Sequence, residues 1–374
     1  MRLHAVELRR IRMSLVAPFE TSFGVQTERD ILLLKAITDV GEGWGECVAG
    51  EDPHYSPEYV DGSQHVLVHH MLPRLFGRDL AANDVGSVLR PIHGHHMAKA
   101  AIEMALLDAE LRARKESFGH FFGAVRAEVD CGVSVGIHPT VPELLETVGD
   151  YVEKGYRRIK LKIKPGWDVE PVRAVRERFG GVPLQVDANT AYKLSDAEQL
   201  AKLDPYDLLL IEQPLPEEQV LAHAKLAKLV KTPICLDESI TSLQTASDAI
   251  ELGACRIINI KPGRVGGYIE ARRIHDLCAE RGVPVWMGGM LETGIGRAGN
   301  VAMAAMPNFT LPGDTSASDR YYRRDITEPF VLHDGRLRVP GGPGLGVNVD
   351  QEFLESITSS VQTVEGASTR AGRP

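Results

Sequence analysis

Two hydrophobic rhythms divide the chain near residue 126. Before it, LHAVELRRIRM (residues 3–13) and DILLLKAITDV (30–40) alternate as strands do, GEGWGEC (41–47) is expected to be a Gly-rich turn, and helices are expected around residues 56–75 and 97–116. This pattern predicts an α+β domain over residues 1–125. After it, short β-branched runs recur between amphipathic stretches: CGVSVGI, RIKLKI, PLQVDAN, DLLLIEQP, TPICLDES, RIINIKPG, VPVWMGG and FTLPGD. Helix signals fill the gaps, with a start at Asp168, a capping box Ser195–Glu198, and stops at Gly155, Gly253 and Gly282.

Eight such strands alternating with helices predict a (β/α)8-type barrel, a modified TIM barrel, over residues 126–320. Residues 321–374 are expected to pack back on the first domain, with a disordered tail from about residue 363. A doubly wound sheet is the rival architecture. It calls for a phosphate-binding G-x-G-x-x-G after the first strand, and CGVSVGIHP does not supply one.

In a barrel the active site gathers at the C-terminal ends of the strands. Asp187, Glu212 and Asp237 each end a strand and stand 25 residues apart. Three carboxylates in register converge and repel one another unless a cation neutralises them, and an all-oxygen set suits Mg²⁺, or Mn²⁺ in its place. The same interval reaches Lys162, 25 residues before Asp187, and Lys261 lies 24 residues beyond Asp237. These lysines end strands two and six, opposite each other in an eight-stranded ring. Lys160 shares the inward face with Lys162, whereas Lys164, before Pro165, is expected to lie beyond the strand. Charge balance alone would account for the lysines' presence but not for their opposition. A hard cation between opposed amines suits removal of a proton α to a carboxylate, with Lys160 helping to hold Lys162 as the neutral base. Ser134 and the Gly288–Gly289–Met290 turn are candidate substrate contacts.

Composition narrows the partners. The 374 residues carry a net charge of −9 without basic blocks, which argues against nucleic acid. No apolar run is long enough to span a membrane, and the N-terminus lacks signal-peptide features, so a cytoplasmic protein is expected. The five scattered cysteines suggest neither a disulfide framework nor a zinc site. His93, His95 and His96 in HGHH lack matching ligand spacing and read as a loop.

The K-x-K strand, the three carboxylates and the opposed lysine resemble the enolase superfamily, specifically its muconate lactonising-like group. ETSFGVQ, RIKLKIKPGWDVEPVRAVRERF, NIKPGRVGG, GGMLETGIGRA and LPGDTSASDR are similar to the branch containing o-succinylbenzoate synthases and N-acylamino acid (N-succinylamino acid) racemases. The resemblance implies Lys162 and Lys261 as the acid/base pair, Lys160 as their support, and Asp187, Glu212 and Asp237 as Mg²⁺ ligands backed by Asn189 and Glu238. It also implies a lid loop carrying Phe19 and Phe23, with Tyr55 beyond it, over a small carboxylate substrate. Arg264 resembles racemase-bearing members and is expected among the substrate contacts. A racemase of N-acylated amino acids is the leading expectation, o-succinylbenzoate synthase of menaquinone synthesis the second, and a non-catalytic metal-binding relative the third. The intact lysine pair speaks against the last. A homo-oligomer is expected.

Overall fold

The computed structural model describes residues 1–366. The chain begins with an antiparallel sheet of β1 (Leu3–Thr21), β2 (Gly24–Thr38) and β3 (Gly41–Cys47). Four consecutive residues of β2, Ile31 to Leu34, are fully buried, so this strand is covered on both faces. GEGWGEC is therefore a strand, not the expected turn. Its glycines serve packing: a Cβ on Gly43 would sit 2.2 Å from the Ala105 carbonyl, and one on Gly45 would sit 2.1 Å from that of Ala101. The helix His96–Arg114 thus lies with its backbone directly on β3.

A short strand, β4 (Glu128–Asp130), leads into seven parallel strands: β5 (Gly132–Val135), β6 (Arg158–Lys162), β7 (Leu184–Asp187), β8 (Ile211–Glu212), β9 (Ile234–Leu236), β10 (Ile257–Ile260) and β11 (Val285–Met287). They stand side by side in chain order. The expected eighth strand is reduced to isolated bridges, Phe309 with Val285 and Gly313 with Cys131, which join it to both β11 and β5. Pro312 in the middle of this segment has no N–H for a ladder, so the ring closes without a continuous strand. The expected capping box Ser195–Glu198 is also not used. A 3₁₀ turn covers Leu194–Asp196 instead, and the Lys193 N–H donates to the Asp196 carboxylate at 2.8 Å.

After the barrel, β12 (Arg336–Arg338) pairs with β4, and β13 (Thr358–Glu365) runs antiparallel to β1, with Val364 opposite Val6. A disordered tail from residue 363 does not fit this pairing, since residues 363–365 hydrogen-bond to the first strand; the rest of that expectation, from residue 367, lies outside the described residues. Among the described residues no helix is long and apolar enough to cross a membrane.

Two buried carboxylates from the first sheet and its helix plug the N-termini of barrel helices. Glu46 of β3 accepts from the Thr293 hydroxyl at 2.6 Å and the Gly296 N–H at 2.9 Å, at the start of the helix Gly294–Ala304. Glu103 accepts from the Ile269 N–H at 3.1 Å, at the start of the helix Tyr268–Glu280. Burial pushes the Glu103 carboxyl up to about 8, against the pull of the Ile269 and Tyr268 N–H groups. Between an unfolded value of 4.5 and about 8 the native chain keeps a proton that the unfolded chain has released, so native stability falls as pH rises through that window. Glu103→Gln should therefore gain melting temperature relative to the parent as pH is raised from about 5 to 8. Calorimetric scans showing a pH-independent difference would mean that Glu103 does not titrate there.

Candidate active site

The period of two along each strand aims one set of side chains into the barrel. Its lower interior is built by Arg158, Leu210, Cys235, Ile257 and Trp286, all buried, with the Arg158 guanidinium 5.1 Å from the Trp286 ring centroid. Above them parallel pairing puts Lys162 beside Asp187 and Asp187 beside Glu212. Asp237 and Lys261 follow the last residues of β9 and β10.

Lys160 is the hub of this layer. Its Nζ lies 2.7 Å from Asp314, 3.1 Å from Glu212 and 3.2 Å from Asp187. Burial works against its charge, but these three carboxylates, Asp314 foremost, raise it well above an ordinary lysine. Lys162 donates to Asp187 and to the Asn189 side-chain carbonyl, both at 2.6 Å. Lys261 donates to Asp237 at 2.7 Å and to the Tyr55 hydroxyl at 3.0 Å. Burial would raise Asp187, yet Lys162 and Lys160 hold it below the usual carboxylate range. Glu212 goes the other way, raised by burial and then by Asp187. Glu238 is pushed up to about 7 by the same two causes; Asn189 donates to its Oε1 at 2.9 Å, and its Oε2 is buried without a partner.

Gln213 orders the strand ends. With φ of +36° it points its amide oxygen at the Asp237 and Ser239 N–H groups, at 3.0 and 3.2 Å, while its nitrogen donates to Leu215 and Ser239. No three His, Cys, Asp or Glu groups among the described residues converge closely enough to ligate one ion; Asp187 and Glu212 are drawn to Lys160, Asp187 also to Lys162, and Asp237 to Lys261 and Arg264. As a donor set they still suit a hard cation: three buried carboxylates on adjacent strand ends, with a further carboxylate oxygen, that of Glu238, unpartnered close by.

A cavity of about 370 Å³ opens over this layer. Lys160, Lys162, Lys261 and Asn189 line it, as do Phe19, Phe23, Tyr55, Ser134, Gly289 and Met290. Phe19 and Phe23 sit at the end of the β1–β2 hairpin rather than in an irregular loop, and Ser22 at its tip donates to the Asn189 carbonyl at 3.0 Å. The Phe19 ring centroid is 5.9 Å from Lys162 Nζ, and the Tyr55 centroid is 4.6 Å from Lys261 Nζ. Lys164 lies past β6 and pairs with Glu20 of the hairpin at 3.0 Å. Arg264 does not reach the cavity. It is buried against Asp237, donates to the Ile240 and Asn259 carbonyls at 2.7 and 2.6 Å, and reaches the Tyr55 hydroxyl at 3.5 Å, so its contact with the site is through Asp237 and Tyr55. Sequence reasoning missed Asp314, which ends the eighth segment as the other carboxylates end theirs, and Tyr321 and Arg29 in the cavity wall.

Opposed lysines and strand-end carboxylates beneath an α+β cap define a capped barrel enzyme. Residues 143–353 match the enolase C-terminal domain-like family, and residues 5–123 match the N-terminal domain of the mandelate racemase/muconate lactonizing enzyme family. The chain belongs to the enolase superfamily. It is 64% identical over 362 residues to an N-succinylamino acid racemase of an Amycolatopsis species, covering 96% of this chain and 98% of the relative. An o-succinylbenzoate synthase of Geobacillus kaustophilus is 50% identical over 94% of this chain and 95% of its own. A crystal structure of an enolase superfamily member from Listeria innocua superposes with a TM-score of 0.94 at 40% identity, covering 98% of this chain and 99% of that one. Members of the superfamily generally use Mg²⁺.

Asp314 offers a direct test of the hub. It also holds Arg158 at 2.7 Å, so Asp314→Asn would leave two buried cations short of their partner. The expected cost is about 3 kcal/mol in urea unfolding. A loss below about 1 kcal/mol would mean that the layer redistributes its charge without it.

Proposed function

We propose that this chain is a Mg²⁺-dependent racemase of N-acylated amino acids, N-succinylated ones above all, acting by two-base proton transfer through an enediolate. The observation that carries the reading is that Lys162 and Lys261, from β6 and from the end of β10, line one cavity beneath one lid. An α-carbon held between them presents one face to each amine. Lys162 takes the proton from one face and Lys261 returns one to the other, and the roles exchange for the opposite enantiomer. Lys160 is held as an ammonium by its three carboxylates and contributes fixed positive charge to the floor. Asp187, Glu212 and Asp237 would hold Mg²⁺, whose charge favours the enediolate over its parent acid. Asn189 and Glu238 steady these ligands, and Arg264 acts at one remove by fixing Asp237. The cap, residues 1–125, governs access and selectivity through Phe19, Phe23 and Tyr55. Five buried free thiols fit a reducing, cytoplasmic setting.

The 50% identity to an o-succinylbenzoate synthase supports a second reading, in which the chain dehydrates a cyclohexadiene carboxylate. That reaction opens with the same proton abstraction. Lys162 would serve it alone, with Lys261 contributing charge.

Deuterium exchange separates the two bases. Lys162→Ala should abolish racemisation from both directions while Lys261 still exchanges the α-proton of its own enantiomer, and Lys261→Ala should give the mirror pattern. Exchange of both enantiomers by either single variant would sink the two-base mechanism. Chelation with EDTA should stop turnover, and Mg²⁺ should restore it. Asp187→Ala, Glu212→Ala and Asp237→Ala should each lower the rate by at least about a hundredfold. Full turnover in the presence of chelator would remove the metal from the reading.

A further inference from the structure

Arg29 on β2 lines the capping-domain wall of the cavity, and the mechanism above makes no use of it. Its side chain is 3% exposed. Among the described residues its only hydrogen bond is from Nη2 to the Val48 carbonyl, at 3.3 Å, and its Nε is buried with no partner. The acidic residues around it are engaged elsewhere: Arg12 holds Glu28 at 3.0 Å and Glu51 at 3.1 Å, and Arg10 grips Asp30. Asp52 shares this wall but is exposed to water, where its charge is screened. A guanidinium cannot shed its proton, and burying it without a counter-charge is costly. No carboxylate among the described residues pairs with it, and an anion that enters the cavity it lines would supply the missing counter-charge.

Both relatives act, by name, on succinyl compounds. A succinyl arm ends in a free carboxylate remote from the carbon that loses its proton. We propose that Arg29 receives this distal carboxylate, so that the substrate is held at two poles: the reacting end over the lysines of the barrel floor, the acyl end on the guanidinium of the cap. The identity of the arm rests on the proposed function. Arg29 would then be a specificity residue common to both candidate reactions, selecting dicarboxylates over neutral acyl groups. A charge-assisted pair of this kind corresponds to about 10- to 100-fold in affinity.

Calorimetric titration of the Mg²⁺-loaded protein with o-succinylbenzoate and with 2-butyrylbenzoate, which carries a methyl group in place of the distal carboxylate, tests this. The parent should bind the succinyl compound about 10- to 100-fold more tightly. Arg29→Met should weaken o-succinylbenzoate to roughly the affinity of 2-butyrylbenzoate, and Arg29→Lys should recover part of the difference. Equal affinities in the parent, or equal weakening of both ligands in Arg29→Met, would overturn the assignment, the latter by showing a purely structural role. If Arg29→Met does not fold, the parent's preference together with its partial loss in Arg29→Lys decides the question. The titration reads binding alone, so a failure of racemase and synthase turnover would sink the proposed function and leave this comparison intact.

Discussion

Everything at the barrel mouth depends on the clasp of one buried ammonium by three carboxylates drawn from different strands. Lys160 reaches Asp187, Glu212 and Asp314, and these come from β7, β8 and the closing segment. Only a charge so surrounded can be kept at this depth, and only a charge at this depth can hold acidic side chains so close together. The clasp also sets orientation. One oxygen of Asp187, its Oδ2, meets both Lys160 and Lys162, so the position of the Lys162 amine is tied to the clasp beneath it. Beneath it the Arg158–Trp286 stack and its apolar neighbours keep water from entering from the other end of the barrel.

Much of this was legible before any coordinates. The interval of 25 residues is one strand, one helix and two connections, so residues that recur at that distance occupy equivalent places in successive units, and their chemistry adds up. Asp314 escaped because, although FTLPGD was read as the eighth strand, its carboxylate falls off the 25-residue interval that singled out the others. GEGWGEC looked like a turn because glycine usually marks one; here it marks the close approach of a helix, a tertiary fact with no local signature. In place of the Ser195–Glu198 box the turn starts two residues earlier, with Lys193 before its first residue and its N–H on the Asp196 carboxylate. Arg264, expected from the resemblance to touch substrate, lies outside the cavity, because its guanidinium is drawn to Asp237 and to the Ile240 and Asn259 carbonyls.

The two domains share one site because each lends the other what it lacks. The barrel supplies rigid strand ends but leaves its mouth open; the hairpin bearing Phe19 and Phe23 covers that mouth and is tied to the barrel by Ser22 on Asn189 and by Glu20 on Lys164. Glu46 and Glu103 complete the exchange, as acids of the cap that occupy the starts of barrel helices. Movement of the cap as a rigid unit would disturb those helix ends, whereas bending of the hairpin alone would not. The ties that hold the hairpin are thus separate from those that hold the rest of the cap.

The pairing of β13 with β1 bears on how the protein comes into being. The outer neighbour of β1 comes from beyond the barrel in the chain, with Val6 opposite Val364. Until β13 pairs, β1 presents an open edge, a condition that exposes a sheet to unwanted partners. Arg10 and Arg12 lie on this strand, but both are held in ion pairs, Arg10 with Asp30 and Asp61 and Arg12 with Glu28 and Glu51, so protection of the edge rests on β13. The cap is therefore finished only when the chain returns to it from the far side of the barrel.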